Sequence, residues 1–158
     1  MVEIGRWVLL AYRLPREPSA PRLAIWRKLK GLGVAQLGDG LVALPLDSRN
    51  REQLEWLADE AIEAGGQASI WISKPATHAQ ERDLAATLQG EIVSQYRAVA
   101  AEARAAAADG RRRHRRTLAR LRRELGRIRR RDYFPPPERE EAKRAVEALA
   151  ERLGEVAA

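Results

Sequence analysis

VAQLGDGLVALPL, residues 34–46, decides the fold of this chain. Two short apolar runs flank the Gly38-Asp39-Gly40 segment, and an Asp-Gly pair between such runs is a strong signal for a β-hairpin. We therefore predict a strand at 34–37 and a returning strand at 41–46. A tight turn explains Asp39 better than a loop that carries a catalytic carboxylate.

On the N-terminal side of this hairpin, the pattern predicts one strand and one helix. Residues 4–12 are almost continuously apolar, which is typical of a strand buried on both faces. Ser19 is a candidate N-cap, and Pro21 suits the first turn of the helix that follows. Gly31 and Gly33 are expected to end that helix.

On the C-terminal side, a second helix and a fourth strand follow. Asp47 or Ser48 can cap the helix, Gly65-Gly66 ends it, and residues 68–73 are apolar enough for a strand. The order β-α-β-β-α-β is that of the ferredoxin-like fold. We therefore expect an α+β domain of this type at residues 1–75.

The remaining sequence, residues 76–158, has a helical pattern throughout. Apolar residues recur every three or four positions from Leu84 to Ala103, and again in the last 20 or so residues. Breaks fall at Asp109-Gly110 and at Pro135-Pro136-Pro137. Because the breaks are short, we expect about three helices that fold back on one another as an antiparallel unit.

Positive charge is concentrated in residues 111–131, which hold twelve arginines and one carboxylate, Glu124. The segment carries a formal charge of +11 while the whole chain carries +7, so all other residues together carry −4. Four aliphatic residues run through it at helical spacing: Leu118, Leu121, Leu125 and Ile128. A narrow packing stripe surrounded by arginine is therefore predicted.

Helical phasing sorts these arginines into a row and two flanks. The face opposite the stripe carries what we call the arginine row, about 27 Å long at 1.5 Å per residue: Arg112, Arg116, Arg120, Arg123, Arg127 and Arg130. One flank carries Arg111, Arg115, Arg122 and Arg129, and the other carries Arg113 and Arg131.

The arginine row is the candidate binding site of the chain. Guanidinium groups match phosphate oxygens bidentately, so we expect nucleic acid as the partner, in first place double-stranded DNA, bound mainly through its phosphates. The alternative is that the arginines pair with carboxylates, either on an acidic protein surface or on the last helix of this chain. A membrane-surface helix is disfavoured because no Trp or Phe lies in the stripe.

Other chemistry is poorly supported by the sequence. The chain has no cysteine, and its two histidines, His78 and His114, lie far apart without a ligand cluster around them. No serine sits in a nucleophile elbow. We therefore expect a protein that is not an enzyme and has no metal or cofactor.

No apolar run reaches the roughly 20 residues of a membrane span, and no secretory signal is present, so we expect a cytoplasmic location. A homodimer is compatible with the apolar first strand.

Three stretches resemble the N-terminal region of ChrB, the chromate-responsive regulator of bacterial chromate-resistance operons. They are residues 7–10 with 14–15, residues 22–30 continuing to 44–45, and residues 131–134 leading into 138–139. The resemblance implies a DNA-binding regulator of chromate or oxyanion resistance whose basic region contacts DNA, which here is the arginine segment. A small oxyanion-responsive protein is a weaker alternative. In this family a C-terminal domain is associated with chromate sensing, and we expect this chain to lack it.

Regulators of the PaaX type are a more distant parallel, since they contain a ferredoxin-like domain similar to that of the small CRISPR-adaptation nucleases. Those nucleases place an acidic residue at the end of the first strand. Tyr12 and Arg13 occupy that place in this sequence. Nuclease activity is therefore not expected.

Overall fold

The computed structural model describes residues 5–109 and 114–154. The chain divides into two compact units, Met1–Leu88 and Gln89–Ala158. The domain boundary expected after residue 75 stays a prediction, and Arg111, Arg112 and Arg113 lie outside the described residues.

The first unit contains four strands and two complete helices. Its elements are β1 (Trp7–Arg13), α1 (Ala20–Leu32), β2 (Ala35–Gly38), β3 (Leu41–Pro45), α2 (Ser48–Glu63) and β4 (Gln67–Ser73). Three further helices follow: α3 (His78–Asp109), α4 (Arg115–Arg130) and α5 (Glu138–Arg152). Over the described residues the protein is thus α+β, as predicted, with a four-stranded antiparallel sheet and five helices.

The sheet has the order β2-β3-β1-β4, which places the apolar β1 in its interior. Successive residues of a strand point to opposite faces. Val8 and Leu10 are completely buried on one face. On the other face, Trp7 and Leu9 line a groove of about 520 Å³ together with residues of the first turns of α3. The first strand is apolar on both sides because both sides are covered, at least in part, within this unit.

Turn and cap residues fix the element boundaries. Gly40 has a φ of +72°, and a Cβ atom there would lie 2.3 Å from the carbonyl oxygen of Tyr12, so the hairpin requires glycine. Asp47 caps α2, since its carboxylate accepts a hydrogen bond from the amide of Asn50 at 2.6 Å. Ser19 precedes α1 without a side-chain cap, because its backbone (φ −79°, ψ −19°) is helical and not extended.

The second unit has its own apolar core, to which α3, α4 and α5 all contribute. Tyr96 of α3, Leu118 of α4 and Leu149 of α5 are completely buried. Small side chains such as Ala103 and Ala142 occupy much of the rest of this core. The helical pattern predicted from residue 76 onward is therefore confirmed for the described residues of these three helices.

Candidate nucleic-acid interface

The aliphatic stripe predicted for the arginine segment is the packing face of α4. Leu118 and Ile128 are completely buried and Leu121 is 1% exposed, while Leu125 is partly buried against the same core. Residues spaced three or four apart share one helix face, so this stripe forms the apolar contact of α4 with the rest of its unit.

Every arginine within α4 is exposed to solvent. The described ones are Arg115, Arg116, Arg120, Arg122, Arg123, Arg127, Arg129 and Arg130, and Arg131 at the end of the helix is half-buried. The remaining three predicted site residues, Arg111, Arg112 and Arg113, fall outside the described residues. The described part of the arginine row, from Arg116 to Arg130, is about 21 Å long at 1.5 Å per residue.

The arginines of the row differ in whether they have a partner. Arg116, Arg123 and Arg130 make no ion pair or side-chain hydrogen bond with another described residue. Arg120 is paired with Glu102 of α3. Arg127 is paired with Glu124 on its own helix, with 3.3 Å between Nη1 and Oε2. Carboxylates of the protein thus form ion pairs with only part of the row.

The two flanks of α4 face different helices. On one side Arg131 donates a hydrogen bond through Nη2 to Oε1 of Gln95 at 2.8 Å, and Arg120 reaches Glu102, so this flank faces α3. On the other side Arg122 and Arg129 line a groove whose opposite wall is α5. The row itself lies between these two flanks and faces away from the core.

The groove between α4 and α5 adds cations that the sequence reasoning missed. It has a volume of about 520 Å³, and Arg139 and Lys143 of α5 line it together with Arg122 and Arg129. Glu140 and Glu147 lie on its rim and reduce the net positive charge. A signal was present in the sequence, because Arg139 and Lys143 are four residues apart and therefore share one flank of α5.

Below this groove, a buried hydrogen bond links α3 to the connection between α4 and α5. The hydroxyl of Tyr96 donates to Oδ2 of Asp132 at 2.8 Å, and the Asp132 side chain is 1% exposed. Nη1 of Arg139 lies 4.0 Å from the same oxygen. Burial, followed by the hydrogen bond to Asp132, raises the pKa of Tyr96 above its usual range, so the phenol stays protonated.

Among the described residues, no glutamate of the last helix forms an ion pair with the row. Glu138 forms its ion pair with Arg97 of α3, with 3.1 Å between Oε1 and Nη2. Glu140 and Glu147 lie at the groove, on the flank of α4 and not on its outer face. The row therefore remains the most cationic exposed element among the described residues.

Two further properties bear on function. Within residues 5–109 and 114–154, no group of three or more metal-binding side chains comes together. Over the same residues, no helix combines the length and the apolar character needed to cross a membrane.

Comparison with known proteins identifies the family. No curated protein and no solved structure matches the chain. The family model described as "Protein ChrB, N-terminal" matches residues 22–158, which include the hairpin, the arginine segment and the last helix. This match covers most of the sequence and includes two of the three stretches that resembled ChrB, those within residues 22–45 and 131–139. The chain therefore belongs to the ChrB N-terminal family.

Proposed function

We propose that this protein binds double-stranded DNA through the arginine row of α4 and acts as a transcriptional regulator in chromate or oxyanion resistance. One observation carries the proposal: Arg116, Arg123 and Arg130 point away from the core, in a line, without a carboxylate partner among the described residues. Membership of the ChrB N-terminal family supports the regulatory role.

The geometry of the row suits a phosphate backbone. Its described length of about 21 Å corresponds to the rise of roughly six base pairs at 3.4 Å each. Guanidinium groups spaced along that line can each bind a phosphate with two parallel hydrogen bonds. No Asn or Gln lies on α4 beside the arginines to read adenine edges, so phosphate contacts are the main source of affinity in this proposal.

The proposal includes an architecture that presents the row to its partner. The order β-α-β-β-α-β and the sheet order β2-β3-β1-β4 support a ferredoxin-like domain, and α3, α4 and α5 support a helical unit that presents the row. We include in the proposal that the protein is not an enzyme and that it works in the cytoplasm, where its DNA partner is found.

Charge reversal of the unpaired arginines tests the proposal. The triple variant R116E/R123E/R130E is expected to lose all detectable binding to a fluorescently labelled duplex in an anisotropy titration, while its circular dichroism spectrum stays unchanged. As a matched control, R16E/R27E/R49E makes the same change in net charge at exposed residues of the first unit and is expected to keep most of the affinity. Equal binding by the row variant and the unmodified protein would disprove the proposal.

A second candidate function is an interaction module for acidic protein surfaces. The pairs Arg120–Glu102 and Arg127–Glu124 favour it, because they show that carboxylates fit against this face. The two functions differ in their competitors. Displacement of bound duplex by inorganic polyphosphate but not by polyglutamate at equal charge concentration supports the DNA function, and the reverse order supports the protein partner.

A further inference from the structure

β4 is an unpaired edge of the sheet. Within the described parts of the chain the sheet ends at β4, whose only strand neighbour is β1. The pairing with β1 is continuous over all seven residues, from Trp7 opposite Ser73 to Arg13 opposite Gln67. Among the described residues, no backbone hydrogen bond reaches the outer side of β4. Its outward N–H and C=O groups are therefore available to another strand.

The two edges of the sheet differ in how well they resist pairing. β2, at the opposite edge, is four residues long and carries an irregularity between Gln36 and Gly38. Short edge strands and bulges both hinder strand addition. β4 has neither feature, and its sequence QASIWIS contains no charged residue and no proline. A long, regular and uncharged edge is the one that natural proteins normally protect.

Exposed apolar side chains lie along this same edge. Trp71 is 57% exposed and Ile72 is 43% exposed, on opposite faces of β4. Ile62 of α2 is 53% exposed. Trp56 and Glu60 line the crevice between α2 and α1, and helical phasing puts Ile62 on the other flank of α2, toward the β4 side of the sheet. Half of the large exposed hydrophobic residues of the described chain therefore border one strand.

We propose that β4 pairs in antiparallel fashion with β4 of a second copy of this chain, around a two-fold axis at Ile70. The strand is self-complementary in this register, as a two-fold interface requires. Ala68 lies opposite the second copy's Ile72, and Ser69 lies opposite the second copy's Trp71. Directly opposed residues share a face, so the apolar side chains meet on the helix side of the sheet.

On the other face, the register places Trp71 against a small polar residue. The indole N–H of Trp71 already donates to Oγ of Ser69 in the same strand, at 2.8 Å. The second copy's Ser69 leaves room for the indole ring, which loses solvent exposure on pairing. The result is a continuous eight-stranded sheet, and its formation is independent of nucleic-acid binding.

Sedimentation equilibrium of the unmodified protein tests the association, and the expected mass is twice the 17.7 kDa of one chain. The variant I72K places a charge against Ala68 of the second copy on both sides of the axis and is expected to weaken the dimer about tenfold or more. A monomeric unmodified protein, or an I72K variant that dimerises equally well, would overturn the proposal.

Single cysteines test the register, since the chain has no cysteine of its own. In I70C the two sulfur-bearing residues face each other across the axis, at a Cα separation of about 4.5–5.5 Å that a disulfide can bridge. In the control I72C they are offset by roughly 13 Å along the strands. Mild oxidation is expected to cross-link I70C and not I72C. The opposite result, or a dimer in which neither variant cross-links, would refute pairing around Ile70.

Discussion

If the arginine row binds duplex DNA as proposed, neutralising its unpaired arginines is expected to change how the affinity depends on salt, by an amount that follows from the number of guanidinium groups removed. The variant R116Q/R123Q/R130Q removes three exposed guanidinium groups that hold no carboxylate among the described residues. Each phosphate contact contributes about 0.9 to the slope of log K against log salt concentration for duplex DNA. The slope is therefore expected to decrease by about 2.7.

This slope converts into affinities that can be measured. If counterion release accounts for the whole effect, the unmodified protein binds about 500 times more tightly than the variant at 0.1 M salt, and only about 25 times more tightly at 0.3 M. Fluorescence anisotropy titrations of one labelled duplex at four or five salt concentrations give both slopes. Glutamine keeps a polar side chain of moderate length, so helix propensity changes little.

A matched control separates local contact from net charge. R16Q/R27Q/R49Q removes the same charge from exposed positions in the first unit. Its slope of log K against log salt concentration is expected to change by less than about 0.9, the value of a single phosphate contact. Parallel lines for the row variant and the unmodified protein would refute the reasoning, because the affected arginines would then not replace counterions. An equal change in both variants would refute it as well, since the row would contribute only through net charge.

Three predictions concern the stability of the second unit. Y96F removes the hydroxyl that donates to the buried carboxylate of Asp132, and urea denaturation is expected to show a loss of about 1–3 kcal/mol; Y12F, whose hydroxyl makes no hydrogen bond to a described residue, is the control and is expected to cost less. Burial raises the pKa of Tyr96 in the folded protein, so ionisation of the phenol favours the unfolded state. The unfolding free energy should therefore fall as the pH rises above 10. A Y96F variant with the same alkaline decrease would contradict this assignment. G126A is expected to raise the unfolding free energy by about 0.5–1 kcal/mol, because alanine favours a helix and a Cβ at Gly126 meets no atom within 4 Å. A loss of stability would show that the groove beside α4 does not tolerate the added methyl group.

Local chemistry explains why much of the fold could be predicted from the sequence. The turn at Gly38–Gly40, the cap at Asp47 and the glycines after α2 each depend on conformations that a few neighbouring residues determine. The stripe of α4 was predictable for a similar reason, because a period of 3.6 residues is a property of one helix. Ser19 shows the limit of such reasoning, since a residue that can cap a helix did not adopt the extended backbone that capping needs.

Tertiary contacts explain what the sequence did not reveal. Trp71 belongs to an apolar run yet is 57% exposed, because it lies on a strand at the edge of the sheet. Strand order is not visible in a local pattern. In the same way, Arg139 and Lys143 could not be assigned to the site before α5 was known to lie beside α4. The pairing of Arg120 with Glu102 depends on α3 and was equally out of reach.

The balance of energies in α4 decides whether the row exists before a ligand arrives. Four arginine pairs within α4, at spacings of three or four residues, repel one another by about 0.2–0.5 kcal/mol each, which sums to about 0.8–2 kcal/mol. Burial of Leu118, Leu121 and Ile128 contributes about 1.5–3 kcal/mol for each side chain. The apolar stripe therefore outweighs the repulsion without help from a partner. Substitutions in the row leave this stripe intact, so they are expected to remove affinity for the proposed DNA partner while the fold remains.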